Sequence, residues 1–275
     1  MRTIVIIAGK EIQEALRNRW VLATTLLLAA LALSLAFLGS APTGNVGAGA
    51  LDVVVVSLSS LTIFLLPLIA LLISHDAVVG EMERGTMILL LSYPIGRHQV
   101  ILGKFLGHVL ILAFATVIGY GAAALALAIT GTSVLAASWY AFASMLGTSI
   151  ILGAVFVAIG YLISSIVRDR GTAAGLSVGV WLMMVLVFDM ALLGLLVLDQ
   201  GRIISARVLE GLLFLNPTDL YRLANLTGFN VSQFSGMAGL AGTTSSGTTA
   251  LLAGLLTWML VPLGLAMTFF TRREL

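Results

Sequence analysis

The 275-residue chain contains no cysteine. Disulfides, thiolate metal sites and cysteine nucleophiles are therefore excluded. Charge is also scarce: Asp, Glu, Lys and Arg make up 9% of the residues, where soluble domains carry about a quarter. No block of like charge points to a nucleic-acid partner. The three histidines, His75, His98 and His108, form no ligand cluster by spacing. Serines are plentiful, yet none sits in a nucleophile-elbow pattern, so no catalytic set and no metal site are expected.

What the chain has is apolar surface, with 60% of its residues hydrophobic. A water-soluble core of this size could not hide that much, so lipid must be the solvent over most of its length. A spanning helix needs about 20 mostly apolar residues, and six windows qualify: Val21–Leu38, Val53–Ser74, Val100–Thr130, Trp139–Val167, Thr172–Leu198 and Leu251–Thr271. The expected fold is an all-α membrane protein forming one transmembrane domain over 1–275. The start does not read as a cleavable signal peptide, because about twenty residues of mixed polarity precede the first apolar run.

Charge sets the orientation. Arg2, Lys10, Arg17, Arg19, Arg84, Arg97, Lys104, Arg168, Arg170, Arg272 and Arg273 fall on one side, eleven of the fourteen Lys and Arg. Arg202, Arg207 and Arg222 fall on the other. The positive-inside rule puts both termini in the cytoplasm of a multi-pass protein.

Segment 1–20 segregates Ile4, Val5, Ala8, Ile12, Ala15 and Leu16 from Lys10, Gln13, Glu14 and Arg17. That pattern predicts an interfacial helix with its apolar face down; a basic topogenic leader is the plainer alternative. The loop 199–250 is the largest soluble part. Its first half reads as a short amphipathic helix on the outer face, broken at Asn216-Pro217, followed by a second helix for which Thr218 is a plausible cap. Residues 235–249 are rich in Gly, Ser, Thr and Ala and read as a flexible surface segment.

Between the second and third spans, the charged part His75 to Arg84, which includes Glu81, Met82 and Glu83, continues the second helix inward. Gly85 allows a bend, Thr86 to Ser92 forms a short apolar helix, and Tyr93-Pro94 ends it. Such a projection suits docking, with Met87, Leu90 and Leu91 toward a partner's cleft; an ordinary loop is the alternative. Gly171, Gly175 and Gly179 make two Gly-x-x-x-Gly steps on the fifth span, and Gly103 and Gly107 make another on the third. Close backbone approach drives helix association in lipid, either within the subunit or at a dimer seam. Asp189 is a carboxylate well inside a span, where a charge usually faces a cavity or a partner; no pairing is visible in the sequence. Met145, Met183, Met184, Met190, Met259 and Met267 lie in spans. Thioethers suit Cu(I), but methionine is also ordinary interface filling.

The order Asp76, Glu81-x-Glu83-Arg84-Gly85-Thr86, Tyr93-Pro94, Arg97, Gly103-Lys104 resembles the same stretch of ABC-2 type permeases. Gly96 departs mildly, standing where serine is commoner. The resemblance covers the whole chain in layout and residues 76–104 in motif. It implies a type V exporter-like transmembrane domain with an N-terminal interfacial helix, working as a homodimer in the bacterial inner membrane. Glu81–Leu91 would be the coupling helix, within a cytoplasmic loop 75–99, that enters an ATPase subunit. ATP and Mg would be bound by that partner, since this chain has no phosphate loop. Loop 199–250 would contact a periplasmic protein. Within the family the chain is most similar to permeases of systems that mature the copper sites of nitrous oxide reductase in denitrification. The competing expectation is a secondary transporter or channel using Asp189.

Overall fold

The computed structural model describes residues 2–17, 19–39, 50–129, 136–199, 206–226 and 247–273, and all regular structure among them is helical. Lipid cannot satisfy free backbone groups, so each apolar run closes its hydrogen bonds internally as a helix. Five runs are long and apolar enough to cross a bilayer: Val54–Glu83, Arg97–Ile129, Ala136–Ile166, Arg170–Asp199 and Thr248–Arg272. A further helix, α2 (Arg19–Gly39), has 21 residues, about 31 Å at 1.5 Å per residue, a length that fits the sixth span expected from the sequence.

The helices follow in chain order. After α1 (Arg2–Leu16) and α2 come α3 (Ala50–Ser74), the short α4 (Val79–Glu83) and α5 (Thr86–Leu91), α6 (Arg97–Ile129) and α7 (Ala136–Ile166). The fifth span is α8 (Arg170–Leu182), a π-helical turn (Met183–Val187) and α9 (Phe188–Asp199). Then come α10 (Ala206–Leu213), α11 (Pro217–Leu226) and α12 (Thr248–Arg272). Helix α7 is the hub: 78% of its apolar window is buried, against 11% for the fifth span. Close packing against α3 requires Gly160, where a Cβ would collide with the Ser74 hydroxyl.

Charge closes the bundle at the end carrying α1, α4, α5 and the C-terminal turn of α12, called the basic end below. The Arg97 guanidinium donates to the carbonyls of Phe270, Thr271 and Arg273 at 3.0, 3.1 and 2.7 Å, capping α12. Arg273 donates to Ser165 O at 3.1 Å and closes α7 in the same way. Cations suit helix C-termini because the last carbonyls lack partners. Asp169 caps α8, accepting from the Thr172 N–H and hydroxyl, both at 2.7 Å. Those hydrogen bonds hold its carboxyl below the ordinary aspartate value.

Helix α11 packs into the bundle: Thr218, Leu220 and Tyr221 are fully buried, and α11 packs against α3, α7 and α12. The cap of α11 is Asn216 rather than Thr218. Its Oδ1 accepts from the Thr218 N–H at 3.1 Å and hydroxyl at 2.8 Å. Pro217 takes the first helical position, where its missing N–H costs nothing, and the residue before it becomes the cap. A π turn, Met183–Val187, interrupts the fifth span. Most of the 235–249 stretch, residues 235–246, lies outside the described residues.

Candidate functional site

The two short helices at the basic end are held from three directions. The Ser164 hydroxyl of α7 accepts from the N–H groups of Val78 and Val79 at 3.0 and 3.1 Å, satisfying two donors at the start of α4. Gly85 then turns the chain with φ +70, a left-handed conformation that glycine adopts without strain. In α5, Met87 is fully buried, and Leu90 and Leu91 rest against the core. The outward face is therefore Ile88, Leu89 and, just beyond, Tyr93, at 59%, 68% and 66% exposure. Of the three apolar residues expected to face a partner, Met87 points inward instead, because α5 must anchor itself on the bundle.

Two ion-pair systems tie this segment to the membrane helices. Lys104 of α6 is buried and reaches Glu81 at 2.7 Å and Glu11 of α1 at 2.9 Å. Lys10 adds contacts to Glu11 at 3.3 Å and Glu81 at 3.8 Å. His108 Nε2 lies 3.6 Å from the second Glu11 oxygen, while its Nδ1 is 2.9 Å from the Tyr161 hydroxyl. Burial works against the Glu11 charge, but Lys104 outweighs it and holds the carboxyl below the ordinary glutamate value. On the other side, Arg170 at the start of the fifth span donates from Nε and its backbone N–H to the two Glu83 oxygens, at 2.8 and 2.9 Å. Glu81 and Glu83 thus face opposite neighbours, one gripping α1 and α6, the other the fifth span. A cavity of about 500 Å³ opens beside them, its lining including Glu11, His75, Asp76, Glu81, Arg84 and Lys104.

Helix α1 is seated on α6 by glycine. A Cβ at Gly103 would meet Ile7 Cβ at 2.7 Å, and one at Gly107 would meet Glu11 Cβ at 2.7 Å. This Gly-x-x-x-Gly step thus receives the N-terminal helix. Val5, Ile6 and Leu16 stay exposed, which leaves α1 an apolar outer face. The step on the fifth span behaves differently. A Cβ at Gly175 or Gly179 would meet nothing within 4 Å, and one at Gly171 only an Asp169 oxygen at 3.3 Å. Among the described residues, the face of this stripe at Gly175 and Gly179 is open.

At the opposite end, Asp189 does not stand alone. Arg222 of α11 donates to it at 2.6 Å and to Asp219 at 2.6 Å. Asn216 donates to the Met184 carbonyl at 2.7 Å, using a group in the π turn, where the backbone ladder is disturbed. Tyr221 lies 2.9 Å from the Ser149 hydroxyl, and Asn225 and Thr148 pair at 3.0 Å. The methionines form no set: Met145 is fully buried, while Met183 and Met190 point outward. Among the described residues, no group of three or more His, Asp and Glu is placed to hold a metal ion.

Residues 5–275 match the ABC-2 family transporter protein family. The chain belongs to that family. It is 49% identical over 276 residues, the full length of both chains, to a protein of Pseudomonas aeruginosa described as a probable ABC transporter permease protein NosY. It is 48% identical over 269 residues, 97% of each chain, to a protein of the same description from Stutzerimonas stutzeri. The protein is thus a multi-pass ABC-2 permease subunit.

Within this permease, sequence reasoning missed Glu11, Lys104 as its partner, and Arg222 with Asp219. Glu11 carried a signal: it lies three and four residues after Ala8 and Ile7, on the face that α1 buries. Arg222 carried none, because it lies 33 residues from Asp189 in sequence.

Proposed function

We propose that this permease couples ATP hydrolysis by a cytoplasmic partner ATPase to a conformational change or transport across the bacterial inner membrane. The basic end then lies in the cytoplasm with both termini. The observation that carries this reading is the α4–α5 pair, which presents Ile88 and Leu89 outward while Glu81 and Glu83 grip three different helices. A push on that apolar tip would reach α1 and α6 through Lys104 and the fifth span through Arg170. Residues 75–99 are the coupling loop of a single transmembrane domain. ATP and Mg belong to the partner. The charge of Asp189 is compensated by Arg222, which favours this reading over a secondary transporter built on a free carboxylate.

The likeness to the two NosY permeases supports a role in copper-site maturation of nitrous oxide reductase. The ATPase is then NosF-like, and a NosD-like periplasmic protein meets loop 199–250. The permease pairs with a second copy across the open glycine face of the fifth span. Since the chain has no cysteine, Gly179→Cys gives a background-free test. Oxidation in native membranes is expected to yield a covalent dimer, and Val208→Cys, an exposed position on α10, is not. Equal yields from both would remove the fifth span as the seam.

The coupling assignment is tested at the tip. Replacing Ile88 and Leu89 together with Asp should cost about 2–4 kcal/mol of ATPase binding, the scale of an interface hot spot, without lowering the amount of permease in the membrane. Glu83→Ala with Arg84→Ala should leave binding weaker or hydrolysis uncoupled. Full co-purification and normal coupling in both variants would sink the docking role.

A further inference from the structure

At the outer end, α11 is pinned to the fifth span by Arg222, which serves Asp189 and Asp219 at once. One guanidinium faces two carboxyl groups, so two ionised carboxylates would leave a net negative charge in a site largely closed to water. Asp219 is 1% exposed, and its Oδ2 has no donor; the buried Oδ1 of Asp189 has none either. Both carboxyl groups sit on the same guanidinium, Asp219 on Nη1 and Asp189 on Nη2, each at 2.6 Å. Ionised carboxylates can only accept, so a hydrogen bond between them requires a proton.

We propose that Asp219 carries a proton that it donates to Asp189, and that this proton locks the 206–226 hairpin onto the π turn of the fifth span. With it, Arg222 balances the one remaining charge, and each orphaned oxygen gains a partner. Without it, the two carboxylates repel across the joint that holds α11 to the span. The groups acting on Asp219 are Arg222, Asp189 and Asn216: burial raises its carboxyl above the ordinary aspartate value, Arg222 opposes this and Asp189 reinforces it. Neutral polar groups also reach the hairpin: Thr148 and Ser149 of α7, the Met184 carbonyl of the π turn, the Trp258 indole of α12 donating to Phe214 O, and Thr62 of α3 beside Tyr221. Asn216 contributes on both sides of the joint, capping α11 and holding Met184. The device would make hairpin seating, and with it the outer surface offered to a partner, depend on pH.

The sign follows from proton linkage. The folded state holds a proton that an unfolded aspartate has released, so stability is greatest on the acidic side and falls as pH rises through the folded value. The test is a thermal-unfolding titration of the full chain in lipid nanodiscs, with infrared spectra of the same samples. In the unmodified protein, the folded-to-unfolded ratio should fall about tenfold per pH unit across the window, the slope for one proton. A protonated-carboxyl band should be present at neutral pH and vanish at the alkaline end. Asp219→Asn supplies a permanent N–H donor, so it should flatten the slope and abolish the band. Asp189→Asn should do the same and serves if the first variant does not assemble. Absence of the band in the unmodified protein at neutral pH overturns the proposal, as does a slope retained in full by the Asn variants.

Discussion

Lys104→Met is expected to release α1 from the bundle. The substitution removes the only cation that touches both Glu11 and Glu81 at under 3 Å among the described residues. Those carboxylates would then share a buried pocket with Lys10, at 3.3 and 3.8 Å and more than half exposed, as the nearest counter-charge. Breaking a buried ion pair by removing one partner costs about 3–5 kcal/mol, because it strands an uncompensated charge. The loss should appear as a lower thermal midpoint and as proteolytic access to residues 2–17. Adding Glu11→Gln and Glu81→Gln to Lys104→Met removes the stranded charges and should restore most of the stability. If the single variant is as stable as the native chain, the charged hub does not hold α1. If the triple variant is no better than the single one, Lys104 acts by packing rather than charge.

Gly160→Val is expected to force α3 and α7 apart. The new Cβ would overlap the Ser74 hydroxyl, which cannot simply swing away because it donates to the Ala70 carbonyl at 2.7 Å. The Ser74 Cβ lies 3.0 Å from the same point, so turning the hydroxyl away does not clear the site. Overpacking of this kind costs about 1–3 kcal/mol. Functional damage should exceed that figure, because Ser164, one turn along α7, caps Val78 and Val79. A shift of α7 would therefore unseat α4 and the coupling tip. Unfolding midpoints of Gly160→Val, Ser74→Gly and the double variant check this: the double variant should recover part of the loss, giving a coupling energy of about 0.5–3 kcal/mol. Strict additivity of the two single effects would show that the collision is not what matters.

The legible and the illegible parts divide by how local their cause is. The helical class and the spans could be read because an apolar run in lipid has one way to satisfy its own backbone, and that way depends only on neighbouring residues. The charge asymmetry was legible for the same reason. Glu81, Glu83 and Gly85 could be singled out from a short motif, and the bend expected at Gly85 is where the chain turns, in a left-handed conformation. The outward face of α5 could not be read. Five of its six residues, Met87 to Leu91, are apolar, so no periodicity tells the buried side from the exposed one.

The sequence by itself determined that this chain is an all-helical, multi-pass membrane protein of the ABC-2 layout, with its positive charge gathered at one end and a short bent helix pair there. Composition and local pattern suffice for that, because the cost of placing a polar or apolar group in lipid depends on the group alone. Only the tertiary structure decided that Glu11 joins Lys104 and Glu81, that α11 packs among the spans, and that Arg222 answers Asp189. It also decided that Gly103 and Gly107 receive α1 while Gly175 and Gly179 stay open. Each of these depends on what a distant segment brings to the same point. The worth of a buried charge or an absent Cβ is set by its partner across the bundle, which nothing in the neighbouring sequence specifies.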